Sequence, residues 1–551
     1  MSNIEFLSLG GIDEKGKNCY VLTIDNEIFV IDCGIYYPAN QILGFESAIP
    51  DFEYLKARKD QVKGIFIGTP YEKNYGSIKH LSDEIKAPIY TTNINAEIIN
   101  VNLEDAIQFN TIESLKTFTV GNIKVTPFKI TNSLPNSVGF VFQTNSENII
   151  YIDECVISSS KMPILTNDVL KIIPHISTNT NILLTSVGKV STNAAFTSPS
   201  FQTQNYFNDL CNENDDKLVI ALYSFEIYKI VSLLNACALS NKTVAFFNPK
   251  TVKILNKMSE FGLINISKFK IVPLSEVKDA KQNVVIIIDE HAHNFFETLN
   301  DICEEQYPDL TLDEKTTYLF ASQTINGLER KQAGLFDVIN KCNVKRATQI
   351  PNKYIDLSPG AEDLKFLAAL FRPKYIIPIK SLYMDFVNYQ NTLVKTGFPK
   401  NNVIILRNGQ KLTITNGIAN EKTEFIELAQ RLINTKGYID EIDNSTFERN
   451  QMKDNGVVVV SYIINTQEKK LKKAKYDDVG IIGRTPQNET IINTIANKVN
   501  EEVGKILETM LENKDKLDTK EFKINTRKII IKQFEKNFDK KPLVMMTIIF
   551  E

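Results

Sequence analysis

Apolar residues in the first 200 positions come in short runs that end in polar loops. The runs at 28–31 and 64–67 are strand-sized, and a helical pattern begins near residue 77. Residues 116–124 contain a Gly121-Asn122 pair, which predicts the turn of a β-hairpin. Because successive strands lead into loops with few long helices, the pattern predicts a sandwich of sheets with helices outside it.

The pattern changes between residues 205 and 350. Strand-sized apolar runs alternate there with helical stretches, at 218–222, 243–247, 284–288 and 317–321. This alternation predicts βαβ units and a parallel sheet, and the continuous run at 284–288 fits a strand buried on both faces. After residue 355 the first pattern returns, so the α/β segment is predicted to be inserted into the first domain.

The last third of the chain completes the predicted organisation. We expect a helix at 360–370, followed by strands at 375–378, 403–406 and 411–414, and then a polar helical stretch at 422–455. Two strand-like ends, 457–464 and 543–550, enclose two amphipathic stretches. The predicted division is a first domain at 1–204 and 355–440, an inserted domain at 205–354, a linker at 441–456 and a C-terminal α+β domain at 457–551.

Composition narrows the functional class. The chain has 551 residues and a net charge of −3, so its overall charge gives no sign of a nucleic-acid binder. A local basic patch is still compatible with this net charge. Its seven cysteines are widely spaced without a C-x-x-C pair, which argues against a disulfide framework and a zinc ribbon. We find no signal peptide and no apolar stretch of membrane length, and therefore expect a cytoplasmic protein with no membrane partner.

Several ordered motifs carry a resemblance to a known family. Residues 9–20 read LGGIDEKGKNCY, residues 49–55 read IPDFEYL, residues 133–139 read SLPNSVG and residues 372–378 read RPKYIIP. In this order and spacing they resemble ribonuclease J, the bacterial metallo-β-lactamase/β-CASP ribonuclease. The resemblance spans essentially the whole chain. It implies an αββα metallo-β-lactamase sandwich with an inserted β-CASP α/β domain and a C-terminal α+β domain.

The family's metal-binding loop is altered in this chain. Active members carry H-x-H-x-D-H there and hold two zinc ions, which activate water for phosphodiester cleavage. Residues 69–74 read TPYEKN instead, so that the four ligand positions become Thr69, Tyr71, Lys73 and Asn74. A protonated lysine has no lone pair and repels a cation, so Lys73 is incompatible with that metal site.

Other ligand positions implied by the resemblance are altered as well. Asn132 replaces a histidine, Lys380 replaces another, and Glu154 is the carboxylate left at its position. The phosphate-recognition loop of the family is replaced by residues 356–360, which include Ser358, and residues 321–324 keep only part of another family loop. We therefore expect no zinc-dependent hydrolysis, no catalytic residue and no bound metal cofactor.

Lysines at two former ligand positions leave three interpretations open. Lys73 and Lys380 could form an internal ion-pair cluster with Glu72, Asp153 or Glu154, in which ammonium charge stands where metal charge was. They could instead bind RNA phosphate without chemistry, or lie in a collapsed, solvated pocket. The candidates for RNA contact are Lys73, Lys380, Ser322, Gln323, Lys472 and Lys473.

His291-Ala292-His293 raises a relocated metal site as a further hypothesis. The alternative is a polar loop inside the inserted domain, which the family layout would put far from the former site. Neither residue has a third ligand that the sequence identifies.

The resemblance leads to a main functional hypothesis and two alternatives. The first is a non-catalytic ribonuclease J paralogue that pairs with an active ribonuclease J, because family members associate through their β-lactamase-like and C-terminal domains; a homodimer is the other assembly considered. Its role would be RNA decay and processing of ribosomal and messenger RNA. The alternatives are a residually active ribonuclease with unusual metal ligands at His291 and His293, and a stand-alone RNA-binding scaffold.

Overall fold

A computed structural model gives the arrangement of most of the chain. It describes residues 2–38, 45–158, 162–176, 180–197, 201–280, 282–325, 327–351, 357–434, 439–441, 445–465, 467–481, 483, 485–512 and 517–551. The chain separates into two compact units, Met1–Asn40 with Glu46–Ile433, and Gln41–Phe45 with Asn434–Glu551. In the described part, no helix combines the length and the apolar character that crossing a membrane requires.

The N-terminal part is built from short strands and short helices. Its strands are β1 (Asn3–Gly10), β2 (Cys19–Ile24), β3 (Glu27–Ile31), β4 (Ser47–Ile49), β5 (Val62–Phe66), β6 (Ile89–Thr91), β7 (Asn110–Thr111), β8 (Phe118–Val120), β9 (Ile123–Lys129), β10 (Val138–Gln143), β11 (Glu147–Ile152) and β12 (Thr180–Ser186). Its helices are α1 (Glu53–Lys56), α2 (Glu72–Tyr75), α3 (Ile78–Glu84) and α4 (Asn93–Leu103).

The middle of the chain alternates helices and strands. Its strands are β13 (Lys217–Tyr223), β14 (Thr243–Phe246), β15 (Ile271–Val272), β16 (Val284–Glu290), β17 (Thr316–Phe320) and β18 (Arg346–Gln349). Its helices are α5 (Phe201–Glu213), α6 (Ile227–Leu239), α7 (Pro249–Glu260), α8 (Phe295–Cys303) and α9 (Glu329–Lys341).

The remaining elements complete the sandwich and form the second unit. The strands are β19 (Tyr375–Ile379), β20 (Gln410–Thr415), β21 (Ile418–Ala419), β22 (Glu424–Phe425), β23 (Arg431–Ile433), β24 (Ile439–Glu441), β25 (Val457–Asn465), β26 (Lys470–Val479) and β27 (Leu543–Phe550). The helices are α10 (Ala361–Phe371), α11 (Tyr383–Val394), α12 (Ser445–Asn455), α13 (Pro486–Glu512) and α14 (Thr519–Phe538).

Two sheets face each other in the first unit. One follows the order β21-β20-β1-β2-β3-β5-β6-β7, and the other follows β19-β12-β11-β10-β9-β8. Aromatic side chains from both sheets meet between them: the ring centroids of Phe29 and Phe142 lie 5.7 Å apart. Helix α3 packs on the outer face of the first sheet, and α10 and α11 pack on the second. The predicted αββα sandwich is therefore confirmed.

A third sheet in the same unit is parallel throughout the pairs that the structure describes. Its order is β15-β14-β16-β13-β17-β18. Helices α5 to α7 pack on one face, and α8 and α9 on the other. The prediction that the 284–288 run is enclosed on both faces is confirmed, because those residues are all buried. This α/β layer lies within the sequence between β12 and β19, as predicted for an insertion.

The second unit contains a small sheet covered on one face by helices. Its order is β26-β25-β27; β25 is antiparallel to β26 and parallel to β27. Alternate residues of β25 are buried against α13 and α14, including Val458, Val460 and Tyr462. This period-two burial follows from the opposite directions of successive side chains in a strand, and it confirms the predicted α+β class.

Two predicted elements are wrong. The run at 403–406 forms only an isolated bridge between Val403 and Ile376, because the sheet edge beside β19 is not continued by a regular strand. The stretch at 422–455, predicted as helical, contains the short strands β22, β23 and β24, and α12 is the one helix among its described residues. Polar residues also occur in short strands at the edge of a sheet, and helical propensity alone does not distinguish such strands from a helix. The domain boundaries stay predictions.

Candidate functional site

A buried lysine joins the two facing sheets at the carboxyl ends of their strands. Lys380 follows β19 of the second sheet, Asp153 follows β11 of the same sheet, and Asp32 follows β3 of the first. The ammonium nitrogen Nζ of Lys380 lies 2.6 Å from Asp32 Oδ2 and 3.0 Å from Asp153 Oδ2. All three side chains are at most 1% exposed. One cation thus pairs with a carboxylate from each sheet.

The backbone at this cluster is held in an uncommon conformation. Asp32 has φ of 62° and Lys380 has φ of 63°, both in the left-handed region that side-chain-bearing residues rarely adopt. Neighbouring strands keep them there: the Lys380 amide donates to Gly11 O at 2.7 Å, and the Asp32 amide donates to Phe66 O at 2.9 Å. Strained residues of this kind concentrate at functional sites, where surrounding structure enforces them.

Neutral donors add hydrogen bonds to the carboxylates, although Oδ1 of Asp32 is buried without a partner. The Asn74 amide Nδ2 donates to Asp153 Oδ2 at 2.8 Å, while its Oδ1 accepts from Lys380 Nζ at 3.0 Å. Asn18 Nδ2 also donates to Asn74 Oδ1, at 2.8 Å, and the Tyr151 hydroxyl donates to Asp32 Oδ2. The former ligand position Asn74 therefore belongs to the same hydrogen-bonded cluster as Lys380.

The two carboxyl groups respond differently to burial. Burial raises the pKa of Asp32 to about 6, helped by the charge of Asp153 and opposed by Lys380. Burial also acts to raise the pKa of Asp153, but Lys380 and Lys73 outweigh it, so that this pKa lies below its ordinary value. The difference arises because Asp153 has two ammonium groups nearby and accepts the Glu154 amide at 2.8 Å.

A second, half-exposed ion pair lies beside the buried one. Lys73 Nζ is 2.6 Å from Glu154 Oε1, and their side chains are 32% and 14% exposed. Ser358 donates its hydroxyl to Glu154 Oε2 at 3.0 Å. The Lys73 ammonium also lies 4.8 Å from the centroid of the Tyr71 ring, a cation–π distance. Both lysines that stand at former ligand positions are thus paired with carboxylates.

The uncharged former ligand positions are engaged in local contacts. Asn132 Nδ2 donates to Glu154 O at 3.2 Å and to Thr69 Oγ1 at 3.4 Å, while its Oδ1 accepts from the Leu134 amide at 2.9 Å. The Tyr71 ring packs edge-on against Phe225 at 5.8 Å between centroids. Lys73, Glu154 and Lys380 thus take part in ion pairs, while the uncharged positions make hydrogen bonds and ring contacts.

The donor set does not fit two zinc ions. Zinc requires imidazole, thiolate or carboxylate lone pairs, and the carboxylates here already accept from ammonium groups. Lys380 Nζ lies between Asp32 and Asp153, where a dication would meet its positive charge. Within the described residues, no group of three or more His, Cys, Asp and Glu side chains is arranged to hold a metal ion.

The expectation that His291 and His293 lie far from the former metal loop is wrong. Nδ1 of His291 is 3.2 Å from Glu72 Oε2, and Nδ1 of His293 is 3.8 Å from the same oxygen. The His293 ring stacks on Tyr37 with centroids 3.8 Å apart. The tertiary fold brings the end of β16 against the loop at 69–75, which the order of the sequence does not reveal. Glu72 thus contacts both histidines.

These contacts displace the pKa values of Glu72 and His291 in opposite directions. Burial acts to raise the pKa of Glu72, but the hydrogen bond and charge of His291 outweigh it and lower that pKa. For His291, burial acts to lower the pKa, and Glu72 raises it above the ordinary value. Both shifts favour a charged pair that ties the former ligand loop to the inserted sheet.

The candidates for RNA contact differ in their accessibility. Lys380 is enclosed by carboxylates, and a phosphate would have to displace them to reach it. Ser322 is also enclosed: its hydroxyl donates to Glu226, and it accepts the Tyr223 amide at 2.9 Å. The half-exposed or exposed candidates are Lys73, Gln323, Lys472 and Lys473.

Sequence reasoning missed three members of the cluster, Asp32, Tyr151 and Asn18. Asp32 ends an apolar strand and belongs to an IDCG motif, which signalled a loop at a strand end but no role. Its pairing with Lys380 depends on how two different sheets stack, and no local pattern encodes that stacking.

Comparison with known proteins places the chain in context. A model of the ribonuclease J C-terminal domain family matches residues 447–550. The chain is 29% identical to "Uncharacterized protein MG423" of Mycoplasma genitalium over 564 residues, covering all of both chains. It is 23% identical to "Ribonuclease J 2" of Staphylococcus epidermidis, over 99% of this chain and 98% of that one. It is 24% identical to "Ribonuclease J2" of Bacillus subtilis, over 85% of each chain.

One solved structure supports the fold alone. A crystal structure of a protein of unknown function from Enterococcus faecalis superposes with a TM-score of 0.51 at 12% identity. The match covers 75% of this chain and all of that one.

Proposed function

We propose that this chain is a non-catalytic, RNA-binding member of the ribonuclease J family, and that it pairs with an active ribonuclease J chain. Family membership supports a role in RNA processing. The finer role, in RNA decay and in the processing of ribosomal and messenger RNA, is part of the proposal. So is a cytoplasmic location.

The single observation that carries the proposal is the buried Lys380 ammonium between Asp32 and Asp153. A metal-dependent ribonuclease uses dications to activate water and to neutralise the charge that develops on phosphate. An ammonium can pair with the carboxylates, but it has no open coordination position for water. The Lys380 side chain can therefore keep the fold intact, but it cannot carry out the hydrolysis that the metal ions perform in active ribonuclease J.

RNA would reach the rim of the cluster rather than its centre. The Lys73 side chain is 32% exposed and pairs with Glu154, the residue after the buried Asp153, so we expect its ammonium to be within reach of a backbone phosphate. Lys472 and Lys473 lie on β26, where Lys472 pairs with Glu551 at 2.5 Å and Lys473 is exposed. We propose these three lysines as sequence-independent contacts to the RNA backbone, and we leave out Gln323, because its side-chain amide nitrogen is buried.

The exposed face of the small C-terminal sheet has the apolar residues expected of a surface that binds another protein. Side chains on the face opposite α13 and α14 include Val459, Met545 and Ile549, which are 39%, 56% and 48% exposed. The strand register sets Val459 beside Met545, and Ile463 beside Ile549. An apolar row on two adjacent strands is a surface that association would bury.

The charged residues of β26, the remaining strand of this sheet, could pair with those of a partner that has the same fold. On β26 the residues beside Val459 and Ser461 are Asp477 and Lys475. If a like-folded sheet packs face to face with its strands reversed, Lys475 of one chain meets the acidic position of the other. Such a pairing requires a partner sheet that carries charges in the same places, and we propose that an active ribonuclease J chain supplies it.

A combined binding and cleavage assay tests the proposal. Purified full-length protein is mixed with 5′-monophosphate RNA, with zinc or manganese or with EDTA, and then with an active ribonuclease J from a related bacterium. We expect salt-dependent RNA binding, no nucleotide release by this chain under any metal condition, and a hetero-oligomer with the active enzyme. EDTA-sensitive nucleotide release by this chain alone would overturn the proposal. A protein that binds neither RNA nor the active enzyme would overturn it as well.

A further inference from the structure

Two of the seven cysteines differ from the others in their surroundings. Cys19, Cys33, Cys155, Cys211 and Cys237 are buried, whereas Cys303 and Cys342 are partly exposed. Cys303 is the last residue of α8, and Cys342 directly follows α9. Sγ of Cys342 lies 3.8 Å from the carbonyl oxygen of Cys303. The ends of two packed helices thus bring together two thiols that solvent can reach.

The thiols share a surface cavity. It has a volume of about 330 Å³, and Ile302, Leu312 and Val338 line it together with both cysteines. Lys341 and Glu305 stand at the same cavity. A small thiol compound can enter a space of this size and reach these two cysteines, whereas it cannot reach a buried cysteine.

We propose that Cys303 and Cys342 form a reversible redox pair, which closes to an intramolecular disulfide by exchange with a low-molecular-weight disulfide such as oxidised glutathione. Neither the reaction nor its site depends on the proposed RNA-related function. In a reducing compartment such a bond would be transient and would respond to the thiol pool, because permanent disulfides do not persist there.

The exchange balances without any other reactant. The Cys342 thiol loses its proton and attacks one sulfur of the small disulfide; a mixed disulfide forms, and the first small thiol leaves. Cys303 then loses its proton and attacks the Cys342 sulfur, which releases the second small thiol. Two cysteine thiols are oxidised to one disulfide, and one small disulfide is reduced to two thiols, each of which takes one proton.

Acidity supports this order of attack. Burial and the neighbouring Cys342 thiol raise the pKa of Cys303 to about 12, so Cys303 stays protonated near neutral pH. Cys303 is therefore suited to the second, intramolecular step. In that step its closeness to the Cys342 sulfur offsets the small fraction of Cys303 that is a thiolate.

Closure of the pair would act on a helix that reaches the carboxyl end of the inserted sheet. Cys342 ends α9, and Gln332 of α9 accepts a hydrogen bond from Thr324 and donates to Gln349 Oε1 at 2.8 Å. Thr324 lies in the loop after β17 that carries Gln323. A covalent link at one end of α9 would therefore restrain the helix whose other end holds this loop.

Intact-mass and peptide analysis of the full-length protein tests the proposal. Reduced protein is exposed to oxidised glutathione near neutral pH, quenched with a thiol-blocking reagent, and digested without reduction. We expect a loss of the mass of two hydrogen atoms, a peptide link between Cys303 and Cys342, and reversal by dithiothreitol. The C303S variant should instead accumulate a glutathione adduct on Cys342.

The chain contains its own comparison pair. Cys211 and Cys237 also influence each other's pKa, but both are buried. We expect the Cys303–Cys342 link to form at least about tenfold faster than any link between Cys211 and Cys237, because access limits exchange. Glutathione adducts on both Cys303 and Cys342 without a link, a faster Cys211–Cys237 link, or no reaction at all would each overturn the proposal.

Discussion

The ammonium nitrogen of Lys380 lies 2.6 Å from Oδ2 of Asp32, and the two side chains are 1% and 0% exposed. These residues come from sheets that face each other, so the pair is a charged contact across the middle layer of the sandwich. The cation at this edge of the two sheets is a side chain of the protein itself, and it pairs with a carboxylate from each sheet.

Loss of this ammonium is predicted to destabilise the fold strongly. In K380M, Asp32 and Asp153 would remain buried without their shared cation, and breaking a buried pair in this way costs roughly 3–5 kcal/mol. Urea unfolding near neutral pH measures the change in the free energy of unfolding.

Two further variants make the test of Lys380 specific. K79M removes a surface ammonium that pairs with Asp105 and is 60% exposed, and we expect a much smaller change in the free energy of unfolding. The triple change K380M/D32N/D153N removes the uncompensated charges as well and should recover much of the lost stability. A K380M protein as stable as K79M would refute the structural role of the ammonium.

The Glu72–His291 pair predicts a pH dependence of stability. The pKa of His291 is raised, so its contribution is full below the unfolded value near 6.5 and is lost as pH rises through the folded value. The pKa of Glu72 is lowered, so its contribution is present above 4.5 and is lost at lower pH. The stabilisation from this pair should therefore be greatest between about pH 5 and 6.5.

Unfolding of wild type and H291Q across pH 5–8 measures this contribution as a difference. The difference should shrink as pH rises, because neutral His291 keeps a hydrogen bond but loses the charge attraction. H175Q serves as the control, since His175 lies outside the Glu72 cluster. A wild-type minus H291Q difference that is flat or grows with pH would contradict the assignment.

Lys73 is predicted to contact RNA phosphate. K73A should weaken binding of single-stranded RNA and reduce the slope of log affinity against log salt by about 0.7, the value for one phosphate contact. Fluorescence anisotropy at several salt concentrations measures both quantities, with K79A as the matched exposed lysine. An unchanged salt slope in K73A would remove Lys73 from the RNA-binding surface.

The open sheet face is predicted to hold the partner. M545K introduces a charge into the row that contains Val459 and Ile549, and it should weaken association with an active ribonuclease J chain at least about tenfold. I418K places the same charge at another exposed apolar residue, which is 62% exposed and lies in the other compact unit. Size-exclusion chromatography with light scattering compares the two; equal association would argue against this face.

Sequence patterns predicted the layers of the fold better than the contacts between them. Strand burial is a local property, so the run at 284–288 was identified as a doubly buried strand from its residues alone. The Lys380–Asp32 contact joins strands of two sheets, and the contact of His291 with Glu72 joins a loop of the inserted layer to a loop of the sandwich. Such pairings depend on how layers stack, which no periodicity of 2 or 3.6 residues reports.

The metal content of the full-length protein tests the central claim most directly. Protein isolated without chelator is incubated with excess zinc or manganese, desalted, and examined by native mass spectrometry beside an active ribonuclease J chain treated in the same way. If the Lys380 ammonium replaces the metal charge, this chain will carry no stoichiometric metal while the active chain retains its own. Two zinc or manganese ions bound to each copy of this chain would contradict the account.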